Sequence, residues 1–365
     1  MRTSWNRTVL VATATIALLC AVQAMGQGFS GLGTNAKGFA VPKRGSPFVF
    51  PRDHAAHENY RIEWWYLTAN LSDAAGNRYG VQWTLFRSAL TPGAGTRFSP
   101  GQVWFAHSAV TTADEHFTSE TIARGGLGTA GVTAEPFKAW INGWEMRGEA
   151  KPPDDALKRL LLTASGPNFS YEMELVSDGP LVFHGDGAYS VKSESGQASY
   201  YYSQPFYRVG GTLNLPDGPV TVSGKAWLDR EWSSQPLSAD QTGWDWISLH
   251  LDTGEKLMGY QLRNSDGTAY RPATWIGADG ATYAISHPHL KMEPLSRTAV
   301  AGRQVPTRWR VTLPERNLDV TIDAINPKAW MDLSIAYWEG PVVVSGSHSG
   351  MGYLEMTGYP VSPAN

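Results

Sequence analysis

The fold is decided by residues 63–87, which read EWWYLTANLSDAAGNRYGVQWTLFR. Short segments in which apolar and polar side chains alternate lie on both sides of DAAGN, a turn-forming sequence at 73–77. This pattern is typical of two antiparallel strands joined by a hairpin. Because apolar residues at helical spacing are nearly absent, the stretch predicts β structure.

A second stretch repeats the first. Residues 243–263 read GWDWISLHLDTGEKLMGYQLR, with a tighter turn. Trp64 corresponds to Trp244 at a separation of 180 residues. Tyr66 corresponds to Trp246 at the same separation. The repeat predicts two β-rich units of one plan, each opening with a tryptophan hairpin.

The rest of the chain follows the same plan. Strand pairs are predicted at 160–176 and at 309–322, and 38 Gly and 23 Pro separate the segments at strand-like intervals. Only residues 154–161 fit a short helix. Many short strands with tight turns predict an all-β fold, built as a barrel or a sandwich.

The length of 365 residues exceeds what one core ordinarily needs, so two domains are expected. The repeat places the boundary between residues 210 and 238. The predicted divisions are a signal peptide at 1–24, a flexible arm at 25–46, a first domain at 47–235 and a second domain at 236–365.

The first 24 residues have the pattern of a secretory signal peptide. Arg2 and Arg7 precede an uncharged apolar run at 9–22, and Ala24 ends a small-residue cleavage site. We therefore expect export, to a periplasm or outside the cell, and no second apolar run predicts a membrane span. Cys20 is the only cysteine, and its lipidation is disfavoured because a bulky leucine precedes it.

The amino-acid composition indicates which kinds of partner can be expected. The chain has 30 basic and 33 acidic residues without a basic run, so a nucleic-acid partner is not expected. Its 15 Trp require either a large aromatic core or an aromatic-lined cavity for an apolar small molecule. No Gly-rich phosphate loop leads into a helix, and no cofactor is expected. The oligomeric state is left open.

The densest cluster of chemical groups is WLDREWSS at 227–234. Strand alternation puts Trp227, Asp229 and Glu231 on one face and Arg230 on the other. Burial and mutual repulsion would push one of the two carboxyls toward its protonated form, which is a usable general acid. Asp229 and Glu231 are therefore candidate catalytic residues.

The alternative for this cluster is structural. Arg230 and Arg208 would neutralise the two acids in an ion-pair network between the domains. Glu63 is likewise expected to pair with an arginine such as Arg87. The residues assigned to a structural network are Glu63, Arg230, Asp245 and Glu339.

A run of tyrosines at 200–202 is a second aromatic cluster, in which Tyr201 faces away from its two neighbours. Tyr202 is the candidate proton donor or orienting partner. His107 follows an aromatic segment and is either a core histidine or a cavity residue. The residues expected to bind the ligand are Trp227, Trp246, Trp65, Tyr66, Tyr201 and His107.

Metal chemistry and nucleophilic hydrolysis have little support. The segments DHAAHE at 53–58 and HPH at 287–289 contain histidines, but neither has the helical HExxH form and no cysteine joins them. Residues 346–350 read GSHSG, with histidine where a nucleophilic serine should stand. We expect no metal site.

Taken together, seven segments resemble the AttH/carotenoid 1,2-hydratase family of secreted lipocalin-like proteins. The resemblance implies two lipocalin-like β-barrel domains packed together, with a small apolar ligand held in a barrel interior. The segments that carry it are EWWY at 63–66, AH at 106–107, YYYS at 200–203, WLDREWSS at 227–234, GWDW at 243–246, YWEG at 337–340 and GMGYLE at 350–355.

The resemblance also implies a reaction. The hydratases add water to a terminal double bond of an acyclic carotenoid without a cofactor, and their acid lies in a Tyr-x-Asp strand. Asp229 matches that acid, but Trp227 stands at the tyrosine position. Residues 201–203, before Pro205, replace the His-x-Trp of the hydratases. These departures place the chain closer to the AttH-like branch.

The sequence is therefore compatible with three functions. The first is a cofactor-independent lyase or isomerase, with Asp229 as proton donor, Glu231 or Tyr202 as partner, and Trp227 and Trp246 facing a carbocation. The second is a carrier or sensor of a hydrophobic molecule, for which no acid inside the cavity is needed. Hydrolysis is third, because no nucleophile is visible.

Overall fold

The computed structural model describes Leu32 and residues 36–93 and 101–362. In this part of the chain the regular structure is β, apart from two single turns of 3-10 helix at Arg52–His54 and Pro314–Arg316. None of the described helices is long and apolar enough to span a membrane. The signal peptide expected at 1–24 lies outside the described residues.

One sheet is formed by the first thirteen strands. They are β1 (Ile62–Ser72), β2 (Arg78–Ala89), β3 (Gln102–Thr111), β4 (His116–Arg124), β5 (Ala130–Ala134), β6 (Phe137–Ile141), β7 (Trp144–Gly148), β8 (Arg159–Gly166), β9 (Phe169–Ser177), β10 (Val182–Phe183), β11 (Tyr189–Val191), β12 (Ala198–Leu215) and β13 (Gly218–Ser233).

The first sheet has the order β4-β3-β2-β1-β13-β12-β9-β8-β7-β6-β5, with β10 and β11 also pairing with β12. Its two ends approach each other, because β4 contacts β6 and β8. The sheet therefore curls into a nearly closed barrel. The helix expected at 154–161 is wrong: Asp154 and Asp155 lie in turns, and the chain is extended from Arg159 onward.

A second sheet is formed by the remaining strands. They are β14 (Gln241–Leu251), β15 (Lys256–Asn264), β16 (Ala269–Tyr270), β17 (Ala273–Ile276), β18 (Thr282–Ile285), β19 (Lys291–Val300), β20 (Arg303–Leu313), β21 (Leu318–Ala324), β22 (Trp330–Met331), β23 (Tyr337–Gly346) and β24 (Gly350–Met356).

The second sheet has the order β18-β17-β15-β14-β24-β23-β21-β20-β19 and forms a half-barrel, with β16 and β22 pairing with β15 and β23. The chain changes sheet between Ser233 and Gln241. In each half the tryptophan hairpin (β1–β2 or β14–β15) also pairs with the last strand of its half, β13 or β24. The all-β fold with two lipocalin-like units is thus confirmed.

Each unit has its own packed core. The first contains buried aromatic side chains such as Trp65, Trp83 and Trp104, and the second contains Trp275 and Trp309. These side chains fill the concave side of each sheet. Burial of such large apolar surfaces stabilises each unit.

A third cluster joins the two units. It contains Tyr66, Tyr201 and Trp227 from the first sheet and Trp246 and Tyr353 from the second. The outer face of β1 and β13 therefore packs against the outer face of β14 and β24. This contact between the two barrels positions the site described below.

The arm expected to be flexible at 25–46 is anchored in its described part. The Lys43 amide donates to the Tyr200 hydroxyl at 2.8 Å, and that hydroxyl donates to Ser46 Oγ at 2.6 Å. The Ala40 carbonyl accepts from Ser234. Residues 40–46 are thus held against β12 and the end of β13 by hydrogen bonds.

Candidate active site between the two barrels

A cavity with a volume of about 240 Å³ lies between the barrels. Its walls are largely aromatic. The first sheet contributes Trp64, Tyr66, Phe86 and Phe105, and the second contributes Trp244, Trp246 and Tyr260. Apolar walls of this kind suit an apolar small molecule.

This position corrects the expectation that a ligand sits inside a barrel. The barrel interiors are packed with side chains, and the cavity uses the opposite face of the same strands. Trp65 points into the first barrel, where it stacks on Trp104 at 5.9 Å, so it does not line the cavity. Tyr66, one residue later, does line it.

The predicted role of Tyr202 as a proton donor to the ligand does not fit its position, for the same reason. It faces the first barrel, where its hydroxyl lies 2.7 Å from His54 Nδ1. Tyr201 faces the cavity. Of the two neighbours, only Tyr201 is therefore placed to meet a ligand.

The carboxyl of Asp229 lines the cavity and is held by three donors. Trp227 Nε1 donates to Oδ1 at 2.6 Å, the Tyr201 hydroxyl donates to Oδ2 at 2.6 Å, and the Ser203 hydroxyl also donates to Oδ1. Burial raises the pKa of Asp229 to about 7, although these hydrogen bonds to the charged form oppose the rise. No cation pairs with it among the described residues.

Trp227 does not line the cavity itself. It is buried in the contact between the barrels, and its indole serves to hold Asp229. Trp246 lines the cavity and donates from Nε1 to the Tyr201 hydroxyl at 3.1 Å. The pKa of Tyr201 is raised well above its usual value by burial and by the Asp229 carboxylate, so the phenol stays protonated.

Glu231 also lines the cavity, but it is neutralised. Lys192 Nζ lies 2.8 Å from its Oε1, and the Ser199 hydroxyl donates to the same oxygen at 2.5 Å. Burial favours neutral Lys192, but Glu231 and Tyr260 together outweigh it and raise the pKa of the amine. Glu231 is therefore an ion-pair partner and a weaker acid candidate than Asp229.

A third carboxyl, Glu355, lines the cavity from the second barrel and was not singled out from the sequence. It accepts a hydrogen bond from the Trp244 indole. Burial, opposed by the Trp244 hydrogen bond and aided by the charges of Asp229 and Glu231, raises the pKa of Glu355 to about 7. Two carboxyls that titrate near neutrality thus face one cavity.

These two carboxyls occupy equivalent positions in the repeat. Tyr66 is the Cα partner of Asp229. Trp246, the repeat equivalent of Tyr66, is the Cα partner of Glu355. The duplication therefore places one acid from each barrel at the shared cavity.

A second polar group lies at another wall. His107 Nδ1 is 3.0 Å from the Tyr337 hydroxyl, and its Nε2 is 3.0 Å from Glu120. Burial lowers the pKa of His107 although Glu120 opposes this. The Tyr66 hydroxyl donates to Glu339 at 2.5 Å. Glu339 is buried beside this wall, and burial together with Glu355 raises its pKa well above the usual range.

Buried ion pairs lie on the barrel side. Glu63 meets Arg87 at 2.5 Å and Arg230 at 3.3 Å, with all three side chains fully buried. Asp245 pairs with Arg263 in the second barrel. Arg230 thus points away from Asp229 and Glu231.

Arg208 does not neutralise these acids either. It pairs with Asp178 at the surface. The structural alternative, in which Arg230 and Arg208 neutralise Asp229 and Glu231, does not match these contacts, because the acids and Arg230 alternate across β13.

The histidine segments do not form a metal centre in the described part of the chain. Asp53 is engaged by Arg52 at 2.9 Å and by His57 at 3.6 Å. Hydrogen bonding to these cationic or polar neighbours keeps the pKa of Asp53 below its usual value, although burial opposes this.

The chain is similar in sequence and in fold to known proteins. A model of the AttH-like family matches residues 41–359. A crystal structure assigned as an AttH of Nitrosomonas europaea superposes with a TM-score of 0.79 and 31 % identity, covering 88 % of this chain and 99 % of that one. No protein with a curated description matches.

Two further crystal structures share the fold at low identity. Kievitone hydratase from Nectria haematococca has a TM-score of 0.65 and 15 % identity, covering 88 % of this chain and 98 % of its own. CghA in complex with Sch210972 has a TM-score of 0.54 and 12 % identity, covering 90 % and 98 %. The chain belongs to the AttH-like family.

Proposed function

We propose that this protein is a cofactor-independent hydro-lyase acting on a double bond of an apolar molecule bound between the barrels. The observation that carries the proposal is Asp229. Its carboxyl is 3 % exposed, faces an aromatic cavity and has a pKa of about 7. An acid with this pKa is protonated in a large fraction of molecules at neutral pH, as general-acid catalysis requires.

In the addition direction, Asp229 gives its proton to one alkene carbon. The π electrons form the new C–H bond and leave a carbocation on the other carbon. The aromatic faces of Trp64 and Trp246 stabilise that cation. Deprotonation of the neighbouring carbon instead of water addition would shift the double bond, which is the isomerase variant of the same chemistry.

Water then attacks the cation and forms the C–O bond. Glu355, as its carboxylate, takes the proton that the attacking water releases. The net reaction is alkene plus water to alcohol, and proton exchange with solvent returns both carboxyls to their starting forms. Because the charge of each carboxylate opposes ionisation of the other, the form in which only one of the two is protonated is favoured near neutral pH.

The substrate class follows from the cavity walls and from the relatives. The aromatic lining favours an apolar skeleton, and a structural relative is named a hydratase of kievitone. Kievitone is therefore the first compound to test, followed by acyclic isoprenoid polyenes, which the carotenoid-hydratase resemblance indicates.

The test incubates purified protein with these compounds and measures products that have gained one water by mass spectrometry. Asp229→Asn should lower turnover by about a thousandfold while quenching of tryptophan fluorescence by the compound persists. Tyr202→Phe is the matched control, since Tyr202 faces the barrel, and it should keep activity. Full turnover by Asp229→Asn would contradict the proposal.

A carrier of a hydrophobic ligand is the second candidate, favoured by the aromatic walls alone. It predicts that wild type and Asp229→Asn bind the same compound equally and that neither releases a product. Extraction of the purified protein with organic solvent would identify a ligand that co-purifies.

We also propose that the protein is exported, on the basis of the pattern of Arg2, Arg7 and the apolar run at 9–22. The mass of the protein from a cell-envelope or medium fraction tests this. A mature chain that begins after Ala24 supports export, and an intact N-terminus in the cytosolic fraction contradicts it.

A further inference from the structure

His184 lies directly after β10 and is 1 % exposed. Its ring packs against that of Tyr201 with centroids 4.3 Å apart. The chemistry proposed above does not use it. A neutral histidine carries its proton on one ring nitrogen and accepts at the other, so it sets the direction of the hydrogen bonds around it.

A chain of hydrogen bonds runs from the second barrel through His184 to Asp229. Thr274 Oγ1, on β17, lies 2.9 Å from His184 Nδ1. His184 Nε2 lies 2.6 Å from Ser203 Oγ. Ser203 in turn donates to Asp229 Oδ1. The chain crosses from one sheet to the other.

The direction of each hydrogen bond follows from the number of protons. The single hydroxyl proton of Ser203 goes to Asp229, so Ser203 Oγ must accept from His184. His184 therefore carries its proton on Nε2, and its Nδ1 accepts from the Thr274 hydroxyl. Every donor in the chain points toward Asp229.

The two oxygens of Asp229 are consequently different. Oδ1 already accepts from Ser203 and from Trp227, whose indole can only donate. Among the described residues, Oδ2 accepts from Tyr201 alone. A proton on Oδ1 would require Ser203 to reverse and His184 to change tautomer, whereas a proton on Oδ2 requires neither.

We propose that His184, as its Nε2–H tautomer, is a positioning residue that confines the acid proton of Asp229 to Oδ2, the oxygen shared with Tyr201 at the cavity. This rests on the proposed function, since it concerns the acid of that reaction. The second barrel takes part through Thr274, so packing of the two barrels sets the proton's place.

Neutral His184 is what the surroundings favour. Burial lowers its pKa well below the usual value, and the nearby charge of Lys192 lowers it further. Tyr201 and Asp229 are the other titratable groups at its side. The ring therefore keeps one proton, and its tautomer is a defined property that can be measured.

The first measurement is the tautomer, by NMR of protein with labelled histidine, where the His184 signal is assigned by its loss in His184→Leu. We expect a protonated Nε2 and an unprotonated Nδ1. A protonated Nδ1 would overturn the proposal. Neither result depends on a substrate.

The second measurement is the pKa of the Asp229 carboxyl, by NMR with labelled aspartate. His184→Leu removes a donor chain that stabilises the carboxylate, so we expect this pKa to rise by about one pH unit. Thr274→Val should move it less in the same direction, and it carries the test if His184→Leu does not fold. His116→Leu is the control, because His116 also bonds a threonine, Thr111, at 2.9 Å but is not bonded to Asp229.

An unchanged Asp229 pKa in both variants would overturn the proposal. Turnover then separates the two claims. If the tautomer and pKa behave as expected but no compound is converted, the proposed function fails alone. If compounds are converted and the alkaline limb of the rate profile moves upward in His184→Leu, both stand.

Discussion

The two halves of the molecule carry an acid at the same place in the repeat, but they surround it differently. Asp229 in the first half accepts from Ser203, Tyr201 and Trp227. Glu355 in the second half accepts from the Trp244 indole. The two halves thus each place a carboxyl at the cavity but hold it with different donors, which suits Asp229 to keep a fixed proton and Glu355 to receive one.

The sharpest way to break this comparison is to neutralise each acid in turn. Asp229→Asn should lower turnover by about a thousandfold, and Glu355→Gln by about a hundredfold, because a positioned acid and a base each contribute factors of this order. Product formation under single-turnover conditions measures both. Asp178→Asn, at the surface, is the control. Equal and small losses of turnover in both variants would show that Asp229 and Glu355 do not act as acid and base.

The ion pairs on the barrel side extend the comparison to stability. Glu63→Gln leaves two fully buried arginines, Arg87 and Arg230, without their carboxylate and should lower the free energy of unfolding by about 3–5 kcal/mol. Asp245→Asn leaves the more exposed Arg263, so we expect about 1–3 kcal/mol. Urea unfolding measures both, and a larger effect at Asp245 would contradict the burial argument.

Much of this arrangement could be predicted from sequence, because it depends on local periodicity. The two tryptophan hairpins, the alternation of Asp229 with Arg230 along β13 and the pairing of Glu63 with Arg87 all follow from strand geometry. Alternation does not say which face looks into a barrel. Both faces of β1 are apolar, so the sequence does not distinguish the face of Trp65, which packs in the barrel, from the face of Tyr66, which lines the cavity.

Residues brought in by distant segments were harder to find. Glu355 reaches the cavity because β24 pairs with β14, more than a hundred residues earlier. Lys192 precedes β12 and has no motif around it. The sequence repeat could have indicated Glu355. Because β13 has an acid, Asp229, opposite Tyr66, the last strand of the second unit could be expected to have an acid opposite Trp246.

The raised pKa values predict a pH-dependent stability. A carboxyl with a folded pKa near 7 binds more protons folded than unfolded between about pH 4 and pH 7, so the free energy of unfolding falls as pH rises through that window. Asp229→Asn should remove this cost and stabilise the protein at pH 8 by about 4 kcal/mol more than at pH 4, because the folded and unfolded pKa values differ by about three units. Denaturant melts at the two pH values test it, and the opposite sign would contradict a raised pKa.

The smallest expected effect concerns the indoles. Trp244→Phe removes the indole donor of Glu355 and should raise that carboxyl's pKa by about one pH unit. Trp227→Phe leaves Asp229 with Tyr201 and Ser203, so its pKa should rise less. NMR titration of the two labelled carboxyls compares them. A larger pKa rise for Asp229 than for Glu355 would contradict the conclusion that Asp229 is held by more hydrogen-bond donors.

The most direct test of the central claim is the titration of both carboxyls in the wild-type protein, by NMR with labelled aspartate and glutamate, assigned with Asp229→Asn and Glu355→Gln. The account predicts that both titrate at about pH 7, and that the pKa of each falls when the other is neutralised. Ordinary values near 4 for both carboxyls, unchanged in the partner variant, would contradict an acid–base pair between the two barrels.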